Sequence, residues 1–252
     1  MGLSCPVSKP NVILCRDAGE LARKAAEQFA ALADAAIARL GRFTVALSGG
    51  STPRAVYSLL ASTEFSRQID WPRVHLFWGD ERCVPPDHPQ SNFRMVQETL
   101  LAKIPIPPGN IHRMIGEREP AEAAAAYETE LRKFFAVKRG DCPCFDLIFL
   151  GLGEDGHTAS LFPGTPAPDE TKRWVTAVYV EKLQSYRLTL TLPLINAATN
   201  VTFLVSGASK APIVGRIMRA PGADDLPAAR VRPANGAPTW MITQEAATSL
   251  ME

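Results

Sequence analysis

Three short apolar runs in this chain each stop at a polar turn that contains glycine. Phe43–Leu47 runs into Ser48-Gly49-Gly50-Ser51-Thr52, Val74–Trp78 into Gly79, and 145–150 into Gly151. Apolar runs of this length, without in-and-out alternation, predict strands covered on both faces, the pattern of a parallel sheet sandwiched by helices. Helical spacing lies between them. Asp17 followed by Glu20 reads as a capping box, and Leu21, Ala25, Phe29, Leu32, Ala36 and Leu40 then recur at helical intervals until Gly41. Further helices are expected over 91–103 and 119–136, and further strands over 174–180, 186–192, 200–206 and 238–242. The expectation is an α/β fold: one open, mostly parallel sheet with helices on both faces, in a single domain. Ligands of such sheets bind beyond the carboxyl ends of the strands, so the three turns converge on a site if their strands are neighbours.

Charge and cysteine content narrow the function classes. The 252 residues carry a net charge of +1, which leaves no summed field for a nucleic acid or an anionic membrane, and no obligate protein partner is indicated. Cysteines at 5, 15, 83, 142 and 144 form no disulfide framework of the kind found in small secreted scaffolds. The first residues lack a basic start and an apolar run, and no stretch approaches the roughly 18 apolar residues of a membrane span. A soluble, cytoplasmic protein is expected. The proline-rich patches at 105–108 and 163–168 are too short for domain linkers, and 221–238 reads as a surface connection.

The turns carry the chemistry. Ser48, Gly49, Gly50, Ser51 and Thr52, directly before Pro53 at a helix start, offer hydroxyls and unhindered amides to a phosphate, and the helix dipole favours the anion. No Lys follows, so the turn is not a nucleotide P-loop; a plain turn with Thr52 as N-cap is the bland reading. Gly79-Asp80-Glu81-Arg82 sets two carboxylates and a guanidinium at the second strand end, and the 87–92 loop, with His88, can extend across the same site. Asp80 and Arg82 are candidates there, against the alternative that they only pair or cap a loop. The third turn, Gly151-Leu152-Gly153-Glu154-Asp155-Gly156-His157, matches G-x-G-x-x-G, but the acidic residue expected about 20 positions on is absent and no dinucleotide cofactor is expected. Asp155 and His157, two residues apart, instead suit a carboxylate that orients an imidazole general base; an N-cap Asp155 and a structural His157 are the alternative.

Other designs fit less well. No G-x-S-x-G elbow is present, and no H-x-E, H-E-x-x-H or paired C-x-x-C spacing predicts a metal. Cys142 and Cys144 read as part of a surface connection, and His75 and His112 as structural. Arg187, heading the Leu-Thr-Leu-Thr-Leu strand, and Lys210, just after Ser206-Gly207 at a strand-to-helix junction, are candidate phosphate partners that, taken singly, also read as surface charges.

In order and spacing, SGGSTP, GDER with DHPQSN, GLGEDGHTASLFP, RLTLTLPLINAA and SGASKAPIV resemble the motifs of the 6-phosphogluconolactonase family, over residues 43–214. The resemblance implies a Rossmann-like sheet, hydrolysis of 6-phospho-D-glucono-1,5-lactone in the oxidative pentose phosphate pathway, and no cofactor. On the matching positions, Ser48 to Thr52, Arg187 and Lys210 would hold the sugar phosphate. His157, steered by Asp155, would activate water, and Arg82 would face the oxyanion. Asp80 belongs to the site without a set role. The related glucosamine-6-phosphate deaminases have a similar D-G-H loop, but with a glutamate five residues after the histidine; here Phe162 stands there. A non-catalytic sugar-phosphate sensor is a third reading, disfavoured by the absence of a DNA-binding helix pair or basic segment.

Overall fold

The helical pattern after Asp17 folds as its spacing predicts. In the computed structural model, which describes residues 10–138, 141–219, 225–234 and 236–251, it forms α1 (Ala18–Leu40), preceded by β1 (Asn11–Cys15). The Asp17 carboxylate accepts from the Glu20 amide at 2.8 Å, Glu20 reaches back to the Arg16 amide, and Gly41 closes the helix at φ 75°. Then come β2 (Phe43–Leu47), α2 (Ser51–Leu60), α3 (Thr63–Ser66), β3 (Val74–Trp78), β4 (Asp80–Arg82), α4 (Asn92–Thr99), β5 (Ile111–His112) and α5 (Pro120–Phe135). The second half holds β6 (Leu147–Leu150), β7 (Val175–Val180), β8 (Ser185–Leu190), α6 (Leu192–Asn196), β9 (Val201–Val205), α7 (Ala211–Arg219), β10 (Thr239–Thr243) and α8 (Thr248–Met251).

Seven strands form one parallel sheet in the order β1-β10-β9-β6-β2-β3-β5. The strands read from the three apolar runs, β6, β2 and β3, are adjacent, so their carboxyl ends lie side by side. All five residues of β2 and of β9 are buried, which explains their mostly apolar character, broken in each by one buried threonine, Thr44 and Thr202. Helices cover both faces. On one, Phe29 of α1 meets Phe43 and Phe149 at ring distances of 5.2 and 6.5 Å. On the other, Phe134 and Phe135 of α5 meet Phe77, whose register partner Ala46 has the opposite parity to Phe43.

One part of the expected sheet is built otherwise. The runs at 174–180 and 186–192 do not join the parallel sheet; as β7 and β8 they form a separate antiparallel sheet with β4, in the order β4-β8-β7. Asp80, Glu81 and Arg82, read as a polar strand-end turn, are themselves the short strand β4. The four-residue turn between β7 and β8 is the reason: it is too short to carry a chain back for a parallel crossover, so a hairpin results. β1 and the two-residue β5 are sheet-edge strands with weak signals in the sequence. Thr52 does not cap α2; Gly50, at φ 106°, takes the N-cap position.

The 221–238 segment is more than a surface connection. Residues 220–224 and 235 lie outside the described residues, as do the first nine, but Leu226 and Ala228 are buried. The Ala228 amide donates to the Gly156 carbonyl at 3.0 Å, and a Cβ on Gly156, itself at φ 81°, would lie 2.7 Å from Leu226. The segment braces the 151–160 turn from behind. Among the described residues, no helix is long and apolar enough to cross a membrane.

Candidate active site

At the carboxyl ends of β2, β3 and β6 lies a cavity of about 430 Å³, within the range of small-molecule sites. Ser48, Gly49, Gly50, Asp80, Arg82, His157 and Arg187 line it, together with Asn92, Ser160, Phe162 and Lys182. The three turns therefore share one space, and the antiparallel sheet closes it.

Close approach of backbone and side chains explains the glycines. Asn92 opens α4, and its amide donates to the Asp80 carbonyl at 2.9 Å. A Cβ on Gly49 would lie 1.9 Å from the Asn92 side-chain oxygen, so only glycine lets the first turn pass. Ser48 is 4% exposed, and its hydroxyl has no hydrogen-bond partner among the described residues. A buried hydroxyl that faces a cavity without a partner is disposed to bind a polar ligand. Its backbone is held from the other side by Tyr57, whose hydroxyl accepts from the Ser48 amide and donates to the Ser48 carbonyl.

The 151–160 turn presents the imidazole. Gly153 donates its amide to the His157 carbonyl at 2.8 Å, and a Cβ on Gly153 would come within 2.0 Å of His157 Nδ1. His157 Nδ1 meets Asp155 Oδ1 at 2.5 Å, and the same oxygen accepts from the His157 amide at 3.1 Å. With Nδ1 engaged, Nε2 is the nitrogen left for a ligand. Burial opposes the Asp155 charge, but hydrogen bonds from Lys182 and His157 outweigh it and hold its pKa down to about 2. The ring of Phe162, five residues after His157, stands 4.1 Å from the imidazole.

Opposite lie the guanidiniums. Arg82 and Arg187 are register partners across β4 and β8. Arg82 is steadied by the Gln90 carbonyl at 2.5 Å, and Arg187, 9% exposed, donates to Ser185 Oγ at 2.6 Å. Among the described residues, neither lies within 4.0 Å of a carboxylate oxygen. Burial, and then repulsion from Arg82, push the Arg187 pKa down, and guanidinium basicity still leaves it charged. Two guanidiniums on one wall, with no carboxylate oxygen of the described residues within 4.0 Å, can hold an anion.

Carboxylates hold the remaining wall. Asp80, 8% exposed, accepts from Ser160 Oγ at 2.7 Å. Glu81 faces away from the cavity; it accepts from the amides of Arg82, Asn92 and Phe93 and from Ser91 Oγ, pinning the 83–92 loop, while burial pushes its pKa up. Lys182, Asn92 and Ser160 line the cavity although the motifs singled out none of them as a site residue. Asn92 and Ser160 fall inside quoted motifs. Nothing local marks Lys182, which reaches the site only through the β7–β8 hairpin.

Three candidates lie off the wall. Ser51 begins α2, Thr52 Oγ1 meets Ser206 Oγ at 2.6 Å, and Lys210 Nζ sits 3.7 Å from Glu154. His75 and His112 are bonded to each other at 3.2 Å within the layer under α5, away from the cavity. Among the described residues, no three His, Cys, Asp or Glu side chains gather as ligands for a metal ion.

Fold and cavity define a class, an open parallel α/β protein whose strand-end cleft joins an imidazole to an anion receptor. The chain belongs to the family of glucosamine-6-phosphate isomerases/6-phosphogluconolactonase, whose model matches residues 16–240. It is 47% identical to the 6-phosphogluconolactonase of Synechocystis sp. over 218 residues, 85% of this chain and 88% of that protein. It is 42% identical to that of Haemophilus influenzae over 204 residues, 80% and 85% of the two chains. Among solved structures, 6-phosphogluconolactonase from Trypanosoma cruzi superposes with a TM-score of 0.87 at 28% identity, covering 99% of this chain and 100% of that one. The family resemblance read from the five motifs is thereby borne out.

Proposed function

We propose that this chain hydrolyses 6-phospho-D-glucono-1,5-lactone to 6-phospho-D-gluconate, in the oxidative pentose phosphate pathway, by water attack assisted by His157. The observation that carries the reading is that His157, the Ser48–Gly50 turn and the guanidiniums of Arg82 and Arg187 line the same cavity. The names of the relatives support the substrate.

In this reading the phosphate docks on Ser48, Gly49, Gly50 and Arg187, which line the cavity, and not on Ser51, Thr52 or Lys210, which lie off its wall. His157 Nε2 takes a proton as a water oxygen bonds to the lactone carbonyl carbon. Asp155 holds the Nδ1 proton and stabilises the imidazolium formed. Arg82 donates to the developing oxyanion, where preorganised charge is most effective. Collapse of the tetrahedral intermediate breaks the bond to the ring oxygen, which leaves with the proton returned by the imidazolium. The remote phosphate fixes the orientation. Asp80, an acceptor held by Ser160 and Asn92, suits a sugar hydroxyl. The free thiols of Cys15, Cys83, Cys142 and Cys144 support a reducing location, the cytoplasm.

Phe162 disfavours the deaminase reading, because an aromatic ring cannot relay the proton that ring opening requires. One assay panel tests the reading: proton release from the phosphogluconolactone, corrected for spontaneous hydrolysis, beside ammonia release from glucosamine 6-phosphate. Lactone turnover alone is expected. Ammonia without lactone turnover would select the deaminase, and phosphosugar binding without either product the sensor.

A further inference from the structure

The Asp155 carboxylate has two oxygens and two different partners. Oδ1 serves His157, through both the ring and the backbone amide; the partner of Oδ2 is the ammonium of Lys182. Lys182 comes from outside the parallel sheet. It sits in the Glu181–Leu183 turn, continued by Gln184 at φ 45°, that joins β7 to β8. A second contact links the same groups: the Lys182 ammonium lies 4.8 Å from the centroid of the Phe162 ring, which itself packs on His157 at 4.1 Å. Both the carboxylate and the aromatic ring thus bridge the imidazole and the ammonium, and Lys182 also lines the cavity.

We propose that Lys182 is a positioning residue for the general base. A carboxylate with one oxygen free turns about its Cβ–Cγ bond and offers either oxygen, or water, to the imidazole. With Oδ2 clamped by an ammonium, Oδ1 is held against Nδ1, the proton stays on Nδ1, and Nε2 remains the unprotonated nitrogen that faces the substrate. The hairpin sets this clamp five residues ahead of Arg187, so that one short antiparallel unit aligns both the base and the anion receptor. The proposal rests on the reading of His157 as base, but its first test does not.

The test is nitrogen NMR of the histidine ring in the free, full-length protein, wild type against Lys182→Met and Lys182→Arg, beside steady-state kinetics. In the wild type, the His157 ring should show a single tautomer with the proton on Nδ1. Lys182→Met should shift this toward a mixture and lower kcat about five- to tenfold, less than the ~10²–10⁴ a general base contributes, with KM little changed; Lys182→Arg should restore both. An unchanged tautomer in Lys182→Met overturns the proposal, and so does a raised KM at constant kcat, which would make Lys182 a substrate contact. Full activity in a His157→Gln protein would remove the base reading instead, while the tautomer comparison would still decide the clamp.

Discussion

The seven-stranded and three-stranded sheets furnish the cavity with different chemistry. Turns that follow the parallel strands bring hydroxyls, glycine amides and the imidazole: Ser48, Gly49, Gly50, Gly151, His157 and Ser160. The antiparallel sheet supplies every Lys and Arg that lines the wall: Arg82, Lys182 and Arg187. The difference follows from backbone geometry. Glycine turns at parallel strand ends let groups approach within contact distance, as Gly49 does to Asn92 and Gly153 to His157. An antiparallel ladder fixes side chains in register, and so holds Arg82 opposite Arg187 although like charges across a ladder repel. An anion between them would relieve that repulsion, in keeping with the proposed phosphate site.

Four substitutions test this division of labour. The largest effect is expected at the parallel-sheet turn: His157→Ala should lower kcat by ~10²–10⁴ while phosphosugar binding, followed by calorimetry, persists. Loss of binding together with rate would place recognition on the wrong sheet. On the antiparallel side, Arg187→Met should weaken kcat/KM by roughly 10- to 100-fold, mostly through KM, as expected for a charge-assisted hydrogen bond of about 1.5–3 kcal/mol. Arg82→Met should cost a comparable factor expressed mainly in kcat, so that the two register partners separate in steady-state kinetics. Gly153→Ala, whose Cβ would press on His157 Nδ1, should reduce kcat about tenfold with an unchanged far-ultraviolet circular dichroism spectrum; a normal rate would show that the dyad tolerates displacement.

The smallest effect concerns stability, far from the cavity. Burial, followed by the neighbouring charges of His112 and Arg42, lowers the His75 pKa from the usual 6.5 to about 4. His112 in turn binds Glu130 at 2.7 Å, so the groups facing His75 are an imidazole, a guanidinium and, one bond removed, a carboxylate. Between about pH 6.5 and about pH 4 the unfolded chain binds a proton at this position that the folded chain does not, so stability falls as pH falls through that window. Denaturant midpoints at several pH values should show a shallower slope for His75→Asn than for the wild type. An equal slope would assign the acid sensitivity elsewhere. Asp155, held down to about 2 in the folded chain, stays ionised there and adds to the slope only at the acid end, where the unfolded chain's carboxyl, with its usual pKa of 3.8, begins to take up a proton.

Much of the parallel sheet and its turns was legible in the sequence because the signals are local. An apolar run ending in Gly-bearing turns, an Asp17–Glu20 cap and a Gly41 stop each lie within a few residues, and they marked β2, β3, β6 and α1. The dyad was legible for the same reason, since Asp155 and His157 are two residues apart. The second sheet was not. β7 and β8 have ordinary strand patterns, and which sheet they join depends on pairing with β4, more than a hundred residues upstream of β8 in the case of Arg82 and Arg187. The apparent surface connection at 221–238 likewise became a brace only through Leu226 and Gly156.

The α/β class, the polar strand ends, the chemical types at each turn and the family were already written in the order of residues, because these depend on short-range pattern and residue identity. Tertiary structure alone decided that the cations stand on a separate sheet, that Lys182 reaches Asp155, and that Thr52 and Lys210 turn to other partners. The physical reason is that hydrogen-bond register and side-chain contact are long-range: they are set when distant segments pack, and no local preference encodes which ones meet.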